Sequence, residues 1–326
     1  MQKKINKIAL LTSGGDAPGM NAAIRGVVRT AIYNKLEVAG VMHGYEGLIK
    51  DEFVKLSAAS VANIIQRGGT ILKTSRSAQF MTDEGMDLAF DNLKRHEVDA
   101  LITIGGDGTF RGANAFGKRH NFPIIGLPGT IDNDLKGTDY AIGFDTATNT
   151  VVDAVDKIRD TAESHDRLFF VEVMGRDAGL IALRSGIAVG AEAILMPETL
   201  THIDDLIQMI ITSKRKKTSK IIIVAEGDEA GGAFEIAKKV TKKVKGFEAR
   251  VTILGHIQRG GRPTCLDRVN ASQLGYEAIN ALVKGKRGVM VGIVDKIVTY
   301  TPFEKAVKHL EKLNPDLVKM LEVLSL

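Results

Sequence analysis

Short apolar runs alternate with helical periods along almost the whole chain, and this alternation restricts the fold to a small set. Several runs, such as 8–11 and 220–225, are apolar on both faces, which is typical of strands buried in a parallel sheet. The stretches between them carry a single apolar stripe, as amphipathic helices do. Strands are predicted at 8–11, 37–42, 100–104, 124–127, 168–173, 193–196, 220–225, 250–254 and 289–294. The pattern predicts an α/β fold whose mainly parallel, doubly wound sheets are covered by helices on both faces.

Length and composition limit the number of domains and the class of protein. The 326 residues exceed the comfortable size of one hydrophobic core, so two domains are expected. With 44% hydrophobic and 25% charged residues, the chain has the composition of an ordinary globular protein. No linker rich in proline or serine separates the two halves. The domain boundary is therefore expected within compact connections.

Several classes of partner are disfavoured by the same totals. Cys265 is the single cysteine, which excludes intrachain disulfides and cysteine-rich zinc sites and fits a reducing cytoplasm. No apolar run approaches the roughly 18 residues that span a bilayer. The net charge of +5 is modest, and the basic runs at 214–217 and 238–243 have few aromatic residues nearby for base stacking. We expect a cytoplasmic protein that binds neither nucleic acid nor membrane.

Three loops that follow apolar strands carry carboxylates among small residues. Gly-Gly-Asp-Gly-Thr at 105–109 follows the strand at 100–104, and Pro-Gly-Thr-Ile-Asp-Asn-Asp at 128–134 follows the strand at 124–127. Gly-Gly-Asp at 14–16 follows the first strand. Open α/β sheets bind phosphates and metals just beyond the carboxyl ends of their strands. These loops indicate a phosphoryl-transfer enzyme.

The loop at 105–109 has the residue types that a phosphate and a metal need. Asp107 can hold Mg²⁺, since hard cations bind carboxylate oxygens. Gly105, Gly106 and Gly108 let phosphate oxygens approach backbone N–H groups, and the helix beginning near Thr109 directs its positive end at them. A plain turn is the alternative. The sequence lacks a Gly-x-x-x-x-Gly-Lys-[Ser/Thr] motif and a Gly-x-Gly-x-x-Gly after the first strand, which disfavours P-loop NTPases and Rossmann oxidoreductases.

Asp132 and Asp134 lie two residues apart in a loop, so both can face one cleft, with one of them acting as a general base for a hydroxyl. A structural Asx turn explains the spacing equally well. Arginines stand beside glycines at 67–70, 75–76, 175–177 and 255–262. Any single one is better explained as a surface salt-bridge partner, but four such loops in one chain favour anion binding. His256 in the last of these loops fits either phosphate binding or a hydrogen bond at a strand end.

Taken together, these motifs resemble those of the bacterial-type ATP-dependent 6-phosphofructokinases. The similarity runs nearly end to end, through 12–21, 105–109, 128–134, 173–176 and 254–261. The resemblance implies an active site in the cleft between two domains. It places the larger, ATP-binding domain at 1–143 plus 258–308, and the smaller, fructose 6-phosphate-binding domain at 144–257 plus 309–326.

The implied reaction is transfer of the γ-phosphoryl group of ATP to the C1 hydroxyl of fructose 6-phosphate, giving fructose 1,6-bisphosphate in glycolysis. The implied catalytic residues are Asp132 as the base, Thr130 and Asp134 beside it, and Arg76 and Arg176 on the transition-state charge. The implied donor-binding residues are Gly15, Arg76, Ser77, Gly106, Asp107, Gly108 and Thr109, with Asp107 toward Mg²⁺. The implied substrate-binding residues are Thr130, Asp132, Arg167, Met174, Gly175, Arg176, Glu226, Arg250, His256 and Arg259.

The resemblance also implies an assembly and a second ligand. Arg167 and Arg250 would come from a neighbouring subunit of a homotetramer, so that active sites are shared. An effector site for ADP or phosphoenolpyruvate is implied at Arg25, Arg29, Arg159, Glu192, Arg215 and Lys217. Ala58 and Ser219 depart from the family pattern there, so we expect a weak effector or a different anion.

Donor choice rests on two glycines. Pyrophosphate-dependent relatives carry larger or charged side chains at the positions of Gly108 and Gly129, so glycine at both is expected to leave room for ATP. Lys73 stands where many members have glycine and adds a cation near Arg76.

Two other functions remain open at this point. A kinase of the same architecture with another donor or acceptor, as in pyrophosphate-dependent enzymes and NAD kinases, fits part of the pattern. A sugar-phosphate sensor without catalysis is disfavoured because Asp107, Asp132 and Arg176 are all present.

Overall fold

Strands and helices alternate throughout the computed structural model of the chain, which describes residues 5–164, 167–212, 220–244, 248–308 and 315–324. The strands are β1 (Lys7–Thr12), β2 (Glu37–Val41), β3 (Phe53–Leu56), β4 (Ala100–Gly105), β5 (Ile124–Pro128), β6 (Arg167–Val173), β7 (Ala193–Leu195), β8 (Lys220–Ala225), β9 (Glu248–Ile253), β10 (Val289–Val294) and β11 (Ile297–Pro302). The α-helices are α1 (Met20–Tyr33), α2 (Gly44–Ile49), α3 (Asp83–Arg95), α4 (Asp107–His120), α5 (Phe144–Glu163), α6 (Leu180–Ala188), α7 (Ile203–Thr212), α8 (Ala233–Thr241), α9 (Cys265–Val283) and α10 (Pro315–Leu324). None of these helices combines the length and apolar character that crossing a membrane requires.

All nine predicted strands are present, and the two that were not predicted are the antiparallel ones. β3 has four residues and lies at the sheet edge, where half-exposed residues give no continuous apolar run. β11 pairs antiparallel with β10 through a tight turn at Asp295 and Lys296, whose φ angles are 49° and 66°. Hairpin turns of this kind usually contain glycine or asparagine, so the residues gave no turn signal.

The chain divides into two compact units, and the first contains Met1–Thr146 and Arg259–His309. Its seven-stranded sheet has the order β11-β10-β5-β4-β1-β2-β3, parallel except at the two edges. β4 is buried along its whole length. On one face the core contains Phe80, Phe110 and Phe116, packed against Ala9 and other strand residues. These features confirm the predicted α/β class.

The strand order of this sheet reverses between β1 and β4. After β1 the chain adds β2 and β3 on one side, and then returns to add β4 and β5 on the other. Connections on the two sides of such a point pass to opposite faces, which opens a crevice beyond the carboxyl ends of the two central strands. The loops at 14–16 and 105–109 follow these two strands. The fold thus places both predicted phosphate loops at its topological switch point.

The second unit contains Ala147–Gln258 and Leu310–Leu326. Its four-stranded sheet is parallel throughout, with the order β7-β8-β6-β9. Leu168, Phe170 and Ile222 form its core with apolar residues of α7 and α8. β6 and β9 mark the strand-order reversal here, since β7 and β8 lie on one side of β6 and β9 on the other.

A buried carboxylate holds the backbone near Thr146, where the first segment of the first unit ends. Asp267 lies in the first turn of α9 and is buried. Its Oδ1 accepts a hydrogen bond from the Gly143 N–H (2.8 Å), and its Oδ2 accepts from the Thr146 N–H (2.8 Å) and hydroxyl. Burial raises the pKa of Asp267, opposed by these hydrogen bonds. The carboxylate therefore satisfies N–H groups where α5 begins, which helix termini otherwise leave unpaired.

Candidate active site

Three predicted site loops meet at one edge of the seven-stranded sheet. β4 and β5 pair with Gly105 opposite Pro128, and the Gly129 N–H donates to the Gly105 carbonyl (2.9 Å). On the other side of β4, the Ser13 N–H donates to the Ile104 carbonyl (2.9 Å). The loops after β1, β4 and β5 are therefore direct neighbours. Parallel register is the cause, because it aligns the carboxyl ends of the three strands.

The loop after β4 turns directly into α4. The helix begins at Asp107, and within the described residues no side chain caps this end. A Cβ added to Gly108 would meet no atom of the described structure within 4 Å, so the space beside the first turn is open. Thr109 is buried, and its hydroxyl donates to the Ser13 carbonyl (3.1 Å). The hydroxyl predicted to contact the donor thus ties α4 to the loop after β1, which leaves the backbone N–H groups of the first turn to bind phosphate.

Gly129 has a different reason to be glycine than the one expected from sequence. A Cβ there would lie 3.0 Å from both Ile104 Cγ2 and Met20 Cε. These are buried core side chains, so a larger residue would disturb packing beneath the loop. This packing is a second reason for glycine at position 129, and the expectation that Gly129 leaves room for a nucleotide stays a prediction. At Gly108 the space beside the glycine is open.

The segment that carries Arg76 is fastened to the same edge by three hydroxyl groups. Thr12 Oγ1 donates to the Lys73 carbonyl, Thr74 Oγ1 to the Gly14 carbonyl and Ser75 Oγ to the His43 carbonyl, each at 2.8 Å. Arg76 is exposed at the end of this fastened segment. Lys73 has a φ of 55°, a conformation that favours glycine, which gives a backbone reason for the glycine that many family members have there.

Ser77 uses its side chain within the fold. Its hydroxyl donates to Glu46 Oε2 (2.6 Å) and accepts from the Phe80 N–H (3.2 Å), which begins the short 3₁₀ helix Gln79–Met81. The Ser77 hydroxyl, followed by Lys50, lowers the pKa of Glu46. The Ser77 hydroxyl is therefore engaged within the fold, and its contact with the donor stays a prediction.

Arg259 lies at the loop after β1. Its Nη1 donates to the Asp16 carbonyl (3.2 Å), and a Cβ at Gly15 would lie 2.5 Å from that nitrogen. Glycine at position 15 therefore lets the guanidinium pack against the loop. The resemblance groups Arg259 with the sugar-phosphate residues, whereas its described contacts are with a predicted donor loop.

Two aspartates of the loop after β5 are buried side by side. Asp132 is 4% exposed and Asp134 is 8% exposed. The Asp132 N–H donates to Thr130 Oγ1 (3.2 Å), which holds the start of the acidic segment. Burial raises the pKa of Asp134 to about 6, and the next largest cause is the negative charge of Asp132. Asp107 adds to this shift and Lys308 opposes it, so Asp134 lies within range of the charges of both other predicted carboxylates.

Both carboxylate oxygens of Asp107 have partners that the sequence reasoning missed. The Lys308 N–H donates to Oδ1 (2.9 Å), and Arg111 Nε forms an ion pair with Oδ2 (2.9 Å). Arg111 is one helical turn beyond Asp107, a spacing visible in the sequence once α4 is placed. Lys308 is about 200 residues away in the chain, and no local pattern indicates its contact.

The residues fit a magnesium ion that arrives with a phosphorylated donor. Among the described residues, no group of three or more histidine, cysteine, aspartate or glutamate side chains is arranged to hold a metal. Asp107 supplies one carboxylate, 21% exposed, beside the open first turn of α4. Mg²⁺ commonly binds through one or two carboxylates, with phosphate oxygens and water completing its shell. One accessible carboxylate is therefore the expected protein contribution.

In the second unit, one group of predicted substrate residues gathers at the carboxyl edge of the sheet. Arg176, in the loop after β6, has a φ of 55°, and its N–H donates to Glu226 Oε1 (2.8 Å) in the loop after β8. The Met174 N–H donates to Gln258 Oε1 (3.3 Å), which fastens the loop after β6 to the 3₁₀ helix that contains His256. His256 is exposed. Gly175 lies between Met174 and Arg176, in a conformation that favours glycine.

The other two predicted substrate residues of this unit lie toward the amino ends of the strands. Arg167 is the first residue of β6, and its Nε pairs with Glu248 Oε2 (2.9 Å) at the start of β9. Arg250 pairs with the other oxygen of Glu248. The backbone of Arg167 is about 20 Å from the end of β6, at 3.3 Å per residue. The length of β6 therefore separates Arg167 from Arg176 of the same unit, whereas Arg250 lies three residues before the end of β9.

The predicted effector residues are described only in part. Arg25 and Arg29 lie one turn apart on α1. Arg159 on α5 donates to the Val189 carbonyl, and Glu192 Oε2 accepts from the Ile221 N–H (2.6 Å). Arg215 and Lys217, together with Ser219, lie outside the described residues. The effector site stays a prediction.

Known proteins are similar in sequence to this chain over nearly its full length. The family model described as Phosphofructokinase matches residues 7–282. ATP-dependent 6-phosphofructokinase 2 of Bacteroides thetaiotaomicron is 55% identical over 320 residues, covering 98% of each chain. ATP-dependent 6-phosphofructokinase 1 of Thermus thermophilus is 52% identical over 323 residues, covering 99% of this chain and 100% of the relative.

A solved structure shares the fold. Phosphofructokinase from Saccharomyces cerevisiae superposes with a TM-score of 0.87 and is 36% identical. The match covers 98% of this chain and 47% of the yeast chain, so this chain spans about half the length of that relative. The switch-point loops, the acidic segment after β5 and the similarity over nearly the whole length agree: the chain belongs to the phosphofructokinase family.

Proposed function

We propose that this protein transfers the γ-phosphoryl group of ATP to the C1 hydroxyl of fructose 6-phosphate, the committed phosphorylation of a glycolytic sugar. The observation that carries the proposal is the position of Asp107, Asp132 and Asp134 in neighbouring loops at one sheet edge, where the charges of the first two act on the third. The similar enzymes from Bacteroides and Thermus, both named as ATP-dependent 6-phosphofructokinases, support the choice of donor and acceptor. The lone Cys265 fits a reducing cytoplasm as the place of action.

Asp132 is the group we assign as general base. A base must be ionised when it accepts the hydroxyl proton. Burial and the charge of Asp132 raise the pKa of Asp134 to about 6, so Asp134 holds its proton more tightly than an ordinary aspartate does. The resemblance gives the role of base to Asp132, with Thr130 and Asp134 beside it. We therefore assign proton abstraction to Asp132 and give Asp134, with Thr130, a positioning role.

The donor is assigned to the unit that contains β1, β4 and β5. Backbone N–H groups of the first turn of α4, from Asp107 to Thr109, provide hydrogen-bond donors for its phosphates. Gly106 adds no side chain to the loop after β4, and Gly15 lets the Arg259 guanidinium pack against the loop after β1. Arg76 and Ser77 are the remaining residues assigned to the donor. Asp107 would hold Mg²⁺, which when bound neutralises charge on the donor phosphates.

The sugar phosphate is assigned to the unit that contains β6, β8 and β9. Met174, Gly175, Arg176 and Glu226 form one hydrogen-bonded cluster with the segment of His256, and Arg176 supplies a cation for the transferring group. Arg259 stays assigned to the 6-phosphate on the resemblance alone. Arg167 lies at the opposite edge of the same sheet and shares its partner Glu248 with Arg250, which supports the assignment of both arginines to a neighbouring subunit of a homotetramer.

The reaction is tested by product analysis. After incubation with Mg-ATP and fructose 6-phosphate, we expect ADP and fructose 1,6-bisphosphate in equal amounts, detected by phosphorus NMR. Replacing ATP with pyrophosphate is expected to give no bisphosphate, because the relatives that match over nearly the full length are named as ATP-dependent enzymes. Turnover with pyrophosphate alone would reassign the donor, and phosphorylation of NAD instead of the sugar would reassign the acceptor.

Replacing the base tests the assignment within the acidic pair. Asp132→Asn is expected to lower kcat about 10²–10⁴-fold, the usual contribution of a positioned base, with little change in KM for fructose 6-phosphate. Asp139→Asn is the matched control, because Asp139 is an exposed aspartate of the same connection between β5 and α5. Near-normal turnover of Asp132→Asn, measured in a coupled assay at pH 8, would remove Asp132 from this role.

Subunit mixing tests the shared site. Arg167→Ala and Arg176→Ala are each expected to be nearly inactive at low substrate concentration. Mixed subunits form some sites with both arginines intact, and random assortment in a symmetric oligomer restores about a quarter of the activity per site. Mixing Arg176→Ala with Asp132→Asn is the control, since both residues are assigned to one subunit and no intact site forms. If the mixture of Arg167→Ala and Arg176→Ala recovers no more activity than that control, Arg167 does not contribute to the active site of a neighbouring subunit.

A further inference from the structure

The Asp107 carboxylate already forms an ion pair with an arginine side chain of the protein itself. Arg111 Nε lies 2.9 Å from Asp107 Oδ2, one turn along α4, while the other oxygen accepts the Lys308 N–H. A magnesium ion binding at this carboxylate meets the guanidinium at the same oxygen. Arg111 was not among the residues expected to take part in donor binding. The inference below rests on the proposed function, since it concerns the metal of the same site.

The ion pair is of a kind that can open. The Arg111 side chain is 63% exposed, and Asp-to-Arg pairs at this helical spacing contribute only a few tenths of a kcal/mol. The guanidinium therefore has solvent to move into. Opening of the pair does not release the carboxylate, because the backbone N–H of Lys308 still holds Oδ1. Arg111 thus sets the charge at Asp107, whereas Lys308 sets its orientation.

We propose that Arg111 is an internal counter-cation that keeps free divalent metal off Asp107 until a nucleotide polyphosphate brings the metal with it. A metal ion alone must displace the guanidinium and remain close to its positive charge. A polyphosphate changes both conditions, because it supplies oxygen ligands to the metal and negative charge to the guanidinium. Metal and nucleotide then bind with positive coupling. Arg111 acts through Asp107, so it is a positioning residue.

The test measures metal binding to the full-length protein without substrates. Mn²⁺, a paramagnetic replacement for Mg²⁺, is titrated into the protein and free Mn²⁺ is followed by electron paramagnetic resonance. Arg111→Gln is expected to bind Mn²⁺ about tenfold more tightly than the unchanged chain, the effect of removing a unit charge a few ångströms from a divalent ion at a water-exposed site. The increase in Mn²⁺ affinity is expected to disappear when Arg111→Gln is combined with Asp107→Asn.

Two further variants separate this effect from a general change of charge. Lys118→Gln removes one positive charge from an exposed side chain of the same helix, about 16 Å along the axis from Asp107 at 1.5 Å per residue. Screening makes its expected effect on Mn²⁺ affinity less than twofold. Arg111→Lys keeps the charge and is expected to remain within threefold of the unchanged chain. Thermal unfolding of each variant confirms that it is folded.

A second titration tests the coupling. With saturating ADP present, the difference in Mn²⁺ affinity between Arg111→Gln and the unchanged chain is expected to fall below threefold, because the phosphates then balance the guanidinium. The proposal is overturned if Arg111→Gln binds free Mn²⁺ within twofold of the unchanged chain, or if Lys118→Gln gives the same gain. Neither titration uses fructose 6-phosphate or phosphoryl transfer, so failure of the proposed kinase activity would be seen separately, in the product analysis.

Discussion

Mutual repulsion among three carboxylates is the constraint on which the site depends. Asp107, Asp132 and Asp134 are placed together by the register of β4 and β5, which sets Gly105 opposite Pro128. Burial and the neighbouring charge raise the pKa of Asp134 to about 6. Like charges in a buried site destabilise the fold, and such an arrangement persists only where the surrounding structure holds it. Strand pairing on both sides of β4 supplies that support.

The cations around this acidic edge differ in how firmly they are held. Lys308 opposes the raised pKa of Asp134, and its backbone N–H fixes Asp107. Arg111 is on the exposed surface of α4 and can leave. The first turn of the helix adds the partial positive charge of its N–H groups. A polyphosphate with its metal therefore meets one permanent set of donors and one guanidinium that can change partners. In our proposal, this division lets one site be acidic without binding a free metal tightly.

Much of this arrangement is readable from the sequence because it depends on local patterns. Buried parallel strands are continuous apolar runs, and the site loops follow them directly, so nine strands and the positions of Asp107, Asp132 and Asp134 were predictable. β3 and β11 were missed since edge strands lack such runs. The features that the sequence did not predict are contacts between residues that are distant in the chain. A side chain at Gly129 would crowd Ile104 and Met20 beneath it, and the contact of Lys308 with Asp107 joins residues far apart in the chain.

The titration of Asp134 tests the central claim most directly. With aspartate labelled at the carboxyl carbon, its resonance can be assigned by comparison with Asp134→Asn and followed against pH in the full chain. A midpoint near pH 6, moving toward the ordinary value of 3.8 when Asp132 is replaced by asparagine, is the expected result. A midpoint near 3.8 in the unchanged chain, or one that does not respond to Asp132→Asn, would show that the carboxylates do not share one buried edge.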